Sequence, residues 1–342
     1  MRQNEKEIDS ILVELTKIVD PVIERFLISD VDKKFWPIVK YPASTGGKRL
    51  RPALAIISCL LCGGKLKDVI SPAAGLEILH NYTLIVDDII DNGQLRRGKA
   101  TCWVKFGNSI AQCIGIDYSA TIFQTAEKSK NPVIISKLFA KTIKSVVDGE
   151  ILDVLFERSG REKEPYVVNN RYRKIKEKDY FEMISKKTAA LFQASCEVGG
   201  ISAEANRKKL QALRKYGFNL GMVFQITDDI LDIFGQEKKF KKKIGKDIQE
   251  RKEGNIVILL ALNKLSPADK RKSLKIMRKN KINKKDVREA MRLIKKTNSR
   301  EKAIQLAEKF TEKAKGALKI LPQNKWNNNL RDLADFILIR EK

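Results

Sequence analysis

Two acidic clusters, Asp87-Asp88-Ile-Ile-Asp91 and Asp228-Asp229-Ile-Leu-Asp232, constrain this chain more than any other feature. Each lies inside an apolar, helix-like stretch, and they begin at residues 87 and 228, 141 residues apart. In a helix, positions i, i+1 and i+4 share one side, so each cluster sets three carboxylates on one helix face. Bunched carboxylates repel one another, and desolvating them is costly unless a cation pairs with them. A hard divalent ion such as Mg²⁺ suits all-oxygen ligands and usually brings substrate phosphates with it. The sequence therefore predicts two facing carboxylate helices that hold a diphosphate through Mg²⁺.

The 342 residues, 43% of them hydrophobic, allow a sizeable core, and only 9 Pro and 19 Gly with no long strand-like alternation point to an all-α protein. Helices are predicted at roughly 4–27, 50–62, 68–92, 102–128, 132–157, 170–200, 203–235, 255–263, 267–279, 283–296, 298–320 and 327–341. Breaks have local causes: Pro42 with Gly46-Gly47, then Gly63-Gly64, Asn92-Gly93, Gly98, and the turns at 129–132 and 160–165. Ser266-Pro267 reads as an N-cap followed by Pro at the first helical position. No linker or composition shift divides the chain, so residues 1–342 read as a single domain, a helical bundle around a deep central cavity.

Five Cys (59, 62, 102, 113 and 196) form an odd, scattered set, which argues against a disulfide scaffold and fits a reducing compartment. Cys59-Leu-Leu-Cys62 lies in the apolar run 53–62 without a second pair and reads as core. The N-terminus has no secretory pattern and no apolar run approaches 18 residues, so a cytoplasmic location and no transmembrane segment are expected. The net charge of +26 is compatible with nucleic acid, an anionic membrane surface or an anionic substrate. Much of it lies in 238–252, 271–285 and 295–315, which keep amphipathic spacing and read as solvated helix faces.

Other candidates gather around the acidic clusters. His80 stands seven residues, about two turns, before Asp87 and shares its face. Arg96 and Arg97 follow the cluster and suit forked binding of phosphate oxygens. In Gly46-Gly47-Lys48-Arg49-Leu50-Arg51, flexible backbone precedes three cations, a second phosphate candidate that lacks the P-loop pattern. Gln225 lies one turn below Asp228 and Asp229. Lys243, Lys246 and Lys252 fall in a basic, loop-like segment able to fold over a diphosphate. Lys187-Thr188, Glu150 and Asp153 sit in apolar stretches, where a charge needs a partner.

These motifs resemble the trans-isoprenyl diphosphate synthases, or polyprenyl synthetases, most closely those of the archaeal geranylgeranyl type, over nearly the whole chain. The resemblance implies an isoprenoid synthase helical bundle acting as a homodimer, with Asp87, Asp88, Asp91, Asp228, Asp229 and Asp232 holding Mg²⁺, three ions per site once substrate is bound. It implies that Lys48, Arg51, His80 and Arg97 bind isopentenyl diphosphate, and that Arg96, Lys187, Lys243 and Lys252 contact the allylic diphosphate. Thr188 and Gln225 would line the region where the allylic cation forms, with Asp153 nearby. Metal and cation clamps would stabilise the departing diphosphate, and a dry pocket would protect the cation. The proton lost would go to the released diphosphate, consistent with a chain that has one His and no catalytic triad.

Product tails in this family grow below the first motif, where Tyr82 and Thr83 stand five and four residues before Asp87. A large residue followed by a small one, with no insertion inside the motif, resembles synthases of a C20 product, geranylgeranyl diphosphate, with C15 farnesyl or a bifunctional farnesyl/geranylgeranyl activity as the alternative. Two positions depart from the usual pattern: the residue before Lys252 is Arg251, and Asn255 stands where Thr is common. A non-catalytic subunit of a heteromeric synthase would usually have lost the acidic motifs, and both are intact. A nucleic-acid-binding protein would need aromatic or base-reading residues on a cationic face, and Trp36, Trp103 and Trp326 are scattered, so no nucleic-acid partner is expected.

Overall fold

Two kinds of helix build this chain, core helices apolar all round, such as Leu50–Leu61, and amphipathic ones with a single buried face, such as Lys284–Ile294. The computed structural model describes residues 3–235, 244–279 and 281–339, and most of these are helical. The helices are α1 Gln3–Ile28, α2 Trp36–Ser44, α3 Leu50–Leu61, α4 Leu66–Ile90, α5 Cys102–Phe106, α6 Asn108–Glu127, α7 Pro132–Leu155, α8 Pro165–Asn170, α9 Glu177–Ile184, α10 Ala190–Ser202 and α11 Arg207–Phe234. After these come α12 Lys246–Gln249, α13 Ile256–Leu262, α14 Pro267–Met277, α15 Lys284–Ile294, α16 Ser299–Ala317 and α17 Lys325–Ile339. The all-α expectation holds; the strands among the described residues are Leu95–Arg96 and Lys99–Ala100, a two-stranded antiparallel ribbon.

The chain divides into two compact units with interleaved segments: residues 1–146, 190–221 and 313–336 in the first, and 147–189, 222–312 and 337–342 in the second. In the first unit α4 packs against α1, α3, α6 and α10. Its residues from Ser71 to Leu79 are all buried, as is α3 from Pro52 to Cys59. Full burial of each such Leu or Ile contributes roughly 1.5–3 kcal/mol. By length and composition α4 could cross a bilayer (25 residues, mean hydropathy 1.2), but 61% of that apolar window is buried within the protein, as befits a core helix. Cys59 lies in the same core, where burial pushes its thiol up to about 12. In the second unit α13 packs on α9 and α15, and α14 pairs with α15.

Four expectations need correction. The predicted helix 102–128 is broken at Gly107, whose φ of 87° ends α5 before α6 begins. The predicted helix 170–200 is three pieces, because residues 171–176 are drawn out of helix by tertiary bonds: Tyr172 N donates to Leu155 O at 3.0 Å, and the Arg158 guanidinium donates to Tyr172 O and Arg173 O. Between α9 and α10 the backbone widens into one π turn, Ser185–Ala189. Helix α2 was hidden by its prolines: Pro37 sits in the first turn, where it is tolerated, and Pro42 lies inside the helix.

The π turn exists because another backbone lies against it. A Cβ placed on Gly149 of α7 would stand 2.2 Å from Lys187 N and 2.6 Å from its Cα, so only glycine admits this approach. Gly149→Ala is therefore expected to destabilise the protein by roughly 2 kcal/mol or more, the cost of forcing an extra methyl into a packed contact. An unchanged urea midpoint for this variant would show that the contact is not close in solution.

Candidate functional site

In the first unit, Asp87 and Asp88 lie in the last turn of α4 and Asp91 is its C-cap. The ribbon that follows turns at Arg97-Gly98, both with positive φ (54° and 78°), the geometry of a tight two-residue hairpin. That turn carries Arg96 back over the helix it has just left. Its guanidinium forks onto Asp88, Nε to Oδ2 and Nη2 to Oδ1 both at 2.8 Å, and reaches Asp87 Oδ2 at 2.9 Å. Burial lowers the Arg96 pKa, but the bonds to Asp88 and Asp87 more than reverse this, so the group stays above its ordinary value. A planar cation is thus fixed against the carboxylates expected to meet a diphosphate.

A second cationic group assembles beside it. A Cβ on Gly47 (φ 137°) would fall 2.7 Å from Arg97 Nη1, so the glycine loop is open where the Arg97 guanidinium crosses it. Arg51 lies over the Phe192 ring at 4.6 Å. Burial, and then the charges of Arg51, Arg97, Arg96 and Arg49, push the His80 imidazole well below its ordinary value, which keeps it neutral at pH 7. The predicted His80, Arg51 and Arg97 are therefore brought into one electrostatic neighbourhood. Lys48 instead pairs with Asp9 at 2.9 Å and lies over the Phe336 ring.

Arg49, read only as one of three basic residues, is the clamp of this loop. It is 6% exposed and binds Asp20 (2.7 Å), Glu77 (3.0 Å), Gly46 O and Ala43 O. It holds φ at 46°, a left-handed conformation that costs a non-glycine residue on the order of 1 kcal/mol. Deeper along α4, Thr83 Oγ1 donates to His80 O at 2.8 Å. The Tyr82 ring reaches α6 at Gly115, where an added Cβ would lie 3.9 Å from it. Gly115 thus makes room for the Tyr82 ring, a role that a lone glycine in a predicted helix does not disclose.

In the second unit the buried carboxylate of Asp153, on α7, collects two lysines: Lys187 Nζ at 2.7 Å and Lys252 Nζ at 3.0 Å. Glu150 adds a second carboxylate to Lys187 at 2.8 Å. Burial pushes the Asp153 carboxyl up, but the Lys187 and Lys252 charges overcome this and hold it at about 2. Lys252 is placed by backbone as well, through an isolated antiparallel bridge to Glu157. Around that bridge Arg158 pairs with Glu253, and Arg161 with Glu157 at 2.9 Å. Lys243 lies outside the described residues.

The second acidic cluster is wired into a chain of hydrogen bonds. Thr188, in the π turn, donates to Gln225 Oε1 (2.7 Å), Gln225 Nε2 donates to Asp229 Oδ1 (2.9 Å), and Ile256 N donates to Asp229 Oδ2 (2.9 Å). Asp232 accepts from Lys246 N (2.9 Å) and Asp247 N (3.2 Å), and so caps α12. Asn255 does double work: its Oδ1 caps α13 through Val257 N and Ile258 N, while its Nδ2 donates to Asp247 Oδ2 at 2.8 Å. Asp247 and Asn255 were not foreseen as part of the site; the signal was an acidic residue within a basic loop and a cap residue just before an apolar run.

Among the described residues, no three His, Cys, Asp or Glu side chains already converge in metal-binding geometry. The donor set nevertheless fits a hard divalent ion. Burial and the nearby Asp247 charge push the Asp229 and Asp232 carboxyls well above the ordinary carboxylate range, the mark of crowded anions short of positive charge. Both clusters offer oxygen alone, as Mg²⁺ prefers.

The Asp153 network makes a stability prediction with a definite sign. Its folded pKa is depressed, so its contribution is present above the unfolded value of ~3.9 and is lost as pH falls toward about 2. Asp153→Asn is expected to cost roughly 3 kcal/mol near neutral pH, since it leaves buried ammonium groups short of a partner. In urea unfolding the gap between wild type and variant should close as pH is lowered from 4 to 2. A gap independent of pH would rule out the ion pairs as its source.

A model of the polyprenyl synthetase family matches residues 32–294. The chain is 36% identical over 251 residues to the short chain isoprenyl diphosphate synthase of Methanocaldococcus jannaschii, covering 72% of each protein. Its fold is similar to that of the geranylgeranyl pyrophosphate synthetase of Pyrococcus horikoshii (TM-score 0.86, 32% identity, covering 97% of this chain and 98% of the other). It is as similar to the decaprenyl diphosphate synthase of Rhodobacter capsulatus (TM-score 0.85, 29% identity, covering 99% of each). The family is Mg²⁺-dependent. With paired aspartate clusters flanked by fixed cations, and with these relatives, the chain belongs to the polyprenyl synthetase family and is a trans-prenyl chain-elongating synthase.

Proposed function

We propose that this chain condenses isopentenyl diphosphate with dimethylallyl, geranyl and farnesyl diphosphates to give geranylgeranyl diphosphate (C20), releasing diphosphate at each step. The observation that carries this reading is that fixed cations accompany buried carboxylates in each unit: Arg96 lies over Asp87 and Asp88 in the first, and Lys187 with Lys252 on Asp153 in the second, where Thr188, next to Lys187, leads through Gln225 to Asp229. Three Mg²⁺ ions, when bound with substrate, would neutralise charge on the leaving diphosphate and would be held by Asp87, Asp88, Asp91, Asp228, Asp229 and Asp232. Residues 1–342 act as one polyprenyl synthetase domain in a homodimer.

The residues divide the work by charge. Arg96, Lys187, Lys252 and Lys243 take the allylic diphosphate, and their positive charge favours breaking the bond between C1 and oxygen. His80, Arg51, Arg97 and Lys48 take the isopentenyl diphosphate, with His80 a neutral hydrogen-bond partner among arginines. The isopentenyl double bond then attacks C1 of the allylic cation. A proton leaves the adjacent carbon for the released diphosphate, so no strong protein base is required. Thr188 and Gln225 offer oxygen dipoles to the cation, oriented by their bond to each other. Tyr82, with Thr83 beside it, forms the floor that stops growth at C20; C15 is the next product in order of expectation.

The deciding measurement is turnover with each of the three primers, with and without Mg²⁺, and product analysis by chain length. Asp87→Asn and Asp228→Asn should each lower turnover by roughly 10²–10³-fold, the range seen when one electrostatic contact to the reacting charge is removed. Full activity in both variants would overturn the assignment. Tyr82→Ala should lengthen the product beyond that of the parent enzyme; products no longer than the parent's would sink Tyr82 as the floor, and a parent product well beyond C20 would place the chain with the long-chain synthases.

A further inference from the structure

Most cations of the catalytic clusters have a carboxylate within reach, whereas the pair α14–α15 in the second unit does not follow that rule. Residues 264–296 hold fourteen Lys and Arg against three Asp and Glu, a net of +11. All three carboxylates are engaged: Asp269 by Lys296, Asp286 by Lys279, and Glu289 by both Lys272 and Arg292. The Lys296–Asp269 and Lys272–Glu289 pairs tie the two helices together along their seam. Arg271 and Lys275 on α14, with Arg278 at its C-cap, recur at i, i+4 and i+7, and Lys284 and Arg288 on α15, with Lys295 at its C-cap, recur at i, i+4 and i+11, so each helix carries a cationic stripe. These six are exposed, and among the described residues none of them pairs with a carboxylate. The opposite faces are apolar and buried: Ile276 and Met277 on α14, and Ala290, Leu293 and Ile294 on α15.

We propose that the cationic face of α14–α15 is a docking surface for anionic lipid headgroups, holding the enzyme at a bilayer. The stripes lie on two packed helices, so like charges are held side by side at a cost that an anionic surface relieves. The segment 264–296 contains no Phe, Tyr or Trp, so it has neither a platform on which bases could stack nor a wedge for insertion; it suits peripheral contact with a sheet of headgroup charge. The choice of a membrane over a nucleic-acid backbone rests on the proposed function, because a prenyl chain of C20 partitions into a bilayer once released.

Sedimentation of the full chain with vesicles tests this directly. Binding is expected to vesicles of phosphatidylglycerol and phosphatidylcholine at low salt, to fall steeply as NaCl is raised, and to be absent with phosphatidylcholine alone. Charge reversal at Arg271, Lys275, Arg288 and Lys295 (each to Glu) should weaken binding at least tenfold while leaving turnover of soluble primers unchanged. Neutralisation of the same four to Gln should give an intermediate loss and serves if the reversed variant folds poorly. Wild type that fails to bind anionic vesicles, variants that bind as well as wild type, or duplex DNA that displaces vesicles at equal charge would each overturn the proposal. Turnover is read separately, so loss of docking and failure of the prenyltransferase assignment are distinguished.

Discussion

Charge held out of water only by opposite charge is the constraint on which the candidate site depends. Asp153 shows it most simply: a carboxylate 6% exposed on an apolar helix, stabilised because two ammonium groups stand within 3.0 Å. Neither partner could be there alone, since the penalty for burying a lone ion exceeds what local hydrogen bonds return. Much of the local architecture follows from meeting this requirement. The π turn brings Lys187 to Asp153, Gly149 lets that turn approach α7, and the Glu157–Lys252 bridge fixes the second lysine. Arg49, tying Asp20, Glu77 and two carbonyls together, is the equivalent device in the first unit.

The same logic explains where the backbone is bent out of its preferred regions. Arg49, Arg97 and Arg251 all have positive φ and all lie at or beside candidate site residues. A side chain pays a steric penalty there that glycine would not, and packing must over-determine the conformation for it to persist. For Arg49 the compensation is visible in its bonds to Asp20, Glu77, Gly46 O and Ala43 O; for Arg97 it is the paired hairpin turn. Glycine at either place would relieve strain and remove the guanidinium, so the strain is the consequence of placing a cation at a turn.

What was legible in the sequence was what repeats with a period. The carboxylate triplets, the apolar faces of α1 and α11, and His80 two turns below Asp87 all follow from 3.6 residues per turn. Tertiary effects were not legible. Residues 171–176 leave helix because Arg158 captures their carbonyls, and the π turn at 185–189 answers a glycine thirty-six or more residues earlier in the chain. Asn255 looked like a departure from a pattern, yet it caps α13 and binds Asp247 at once, which a Thr hydroxyl could not do with two separate polar atoms. Lys48 is a further case: its motif position does not disclose the ion pair that its exposed side chain makes with Asp9, a residue 39 positions earlier.

The high positive charge then separates into two populations with different physics. Arg96, Lys187 and Lys252 are partly or fully desolvated and matched to carboxylates in the same cluster, so their field is short-ranged and aimed at a small anion arriving with metal. Most lysines and arginines on α14–α15 are exposed and outnumber the carboxylates near them, so their field reaches into solvent and fades over a Debye length of roughly 8–10 Å at ordinary salt. Salt should therefore act very differently on the two, weakly on a buried pair such as Asp153–Lys252 and strongly on the exposed stripes. A field of the second kind selects surfaces rather than small molecules, because many weak, parallel contacts must be made together for the attraction to survive screening.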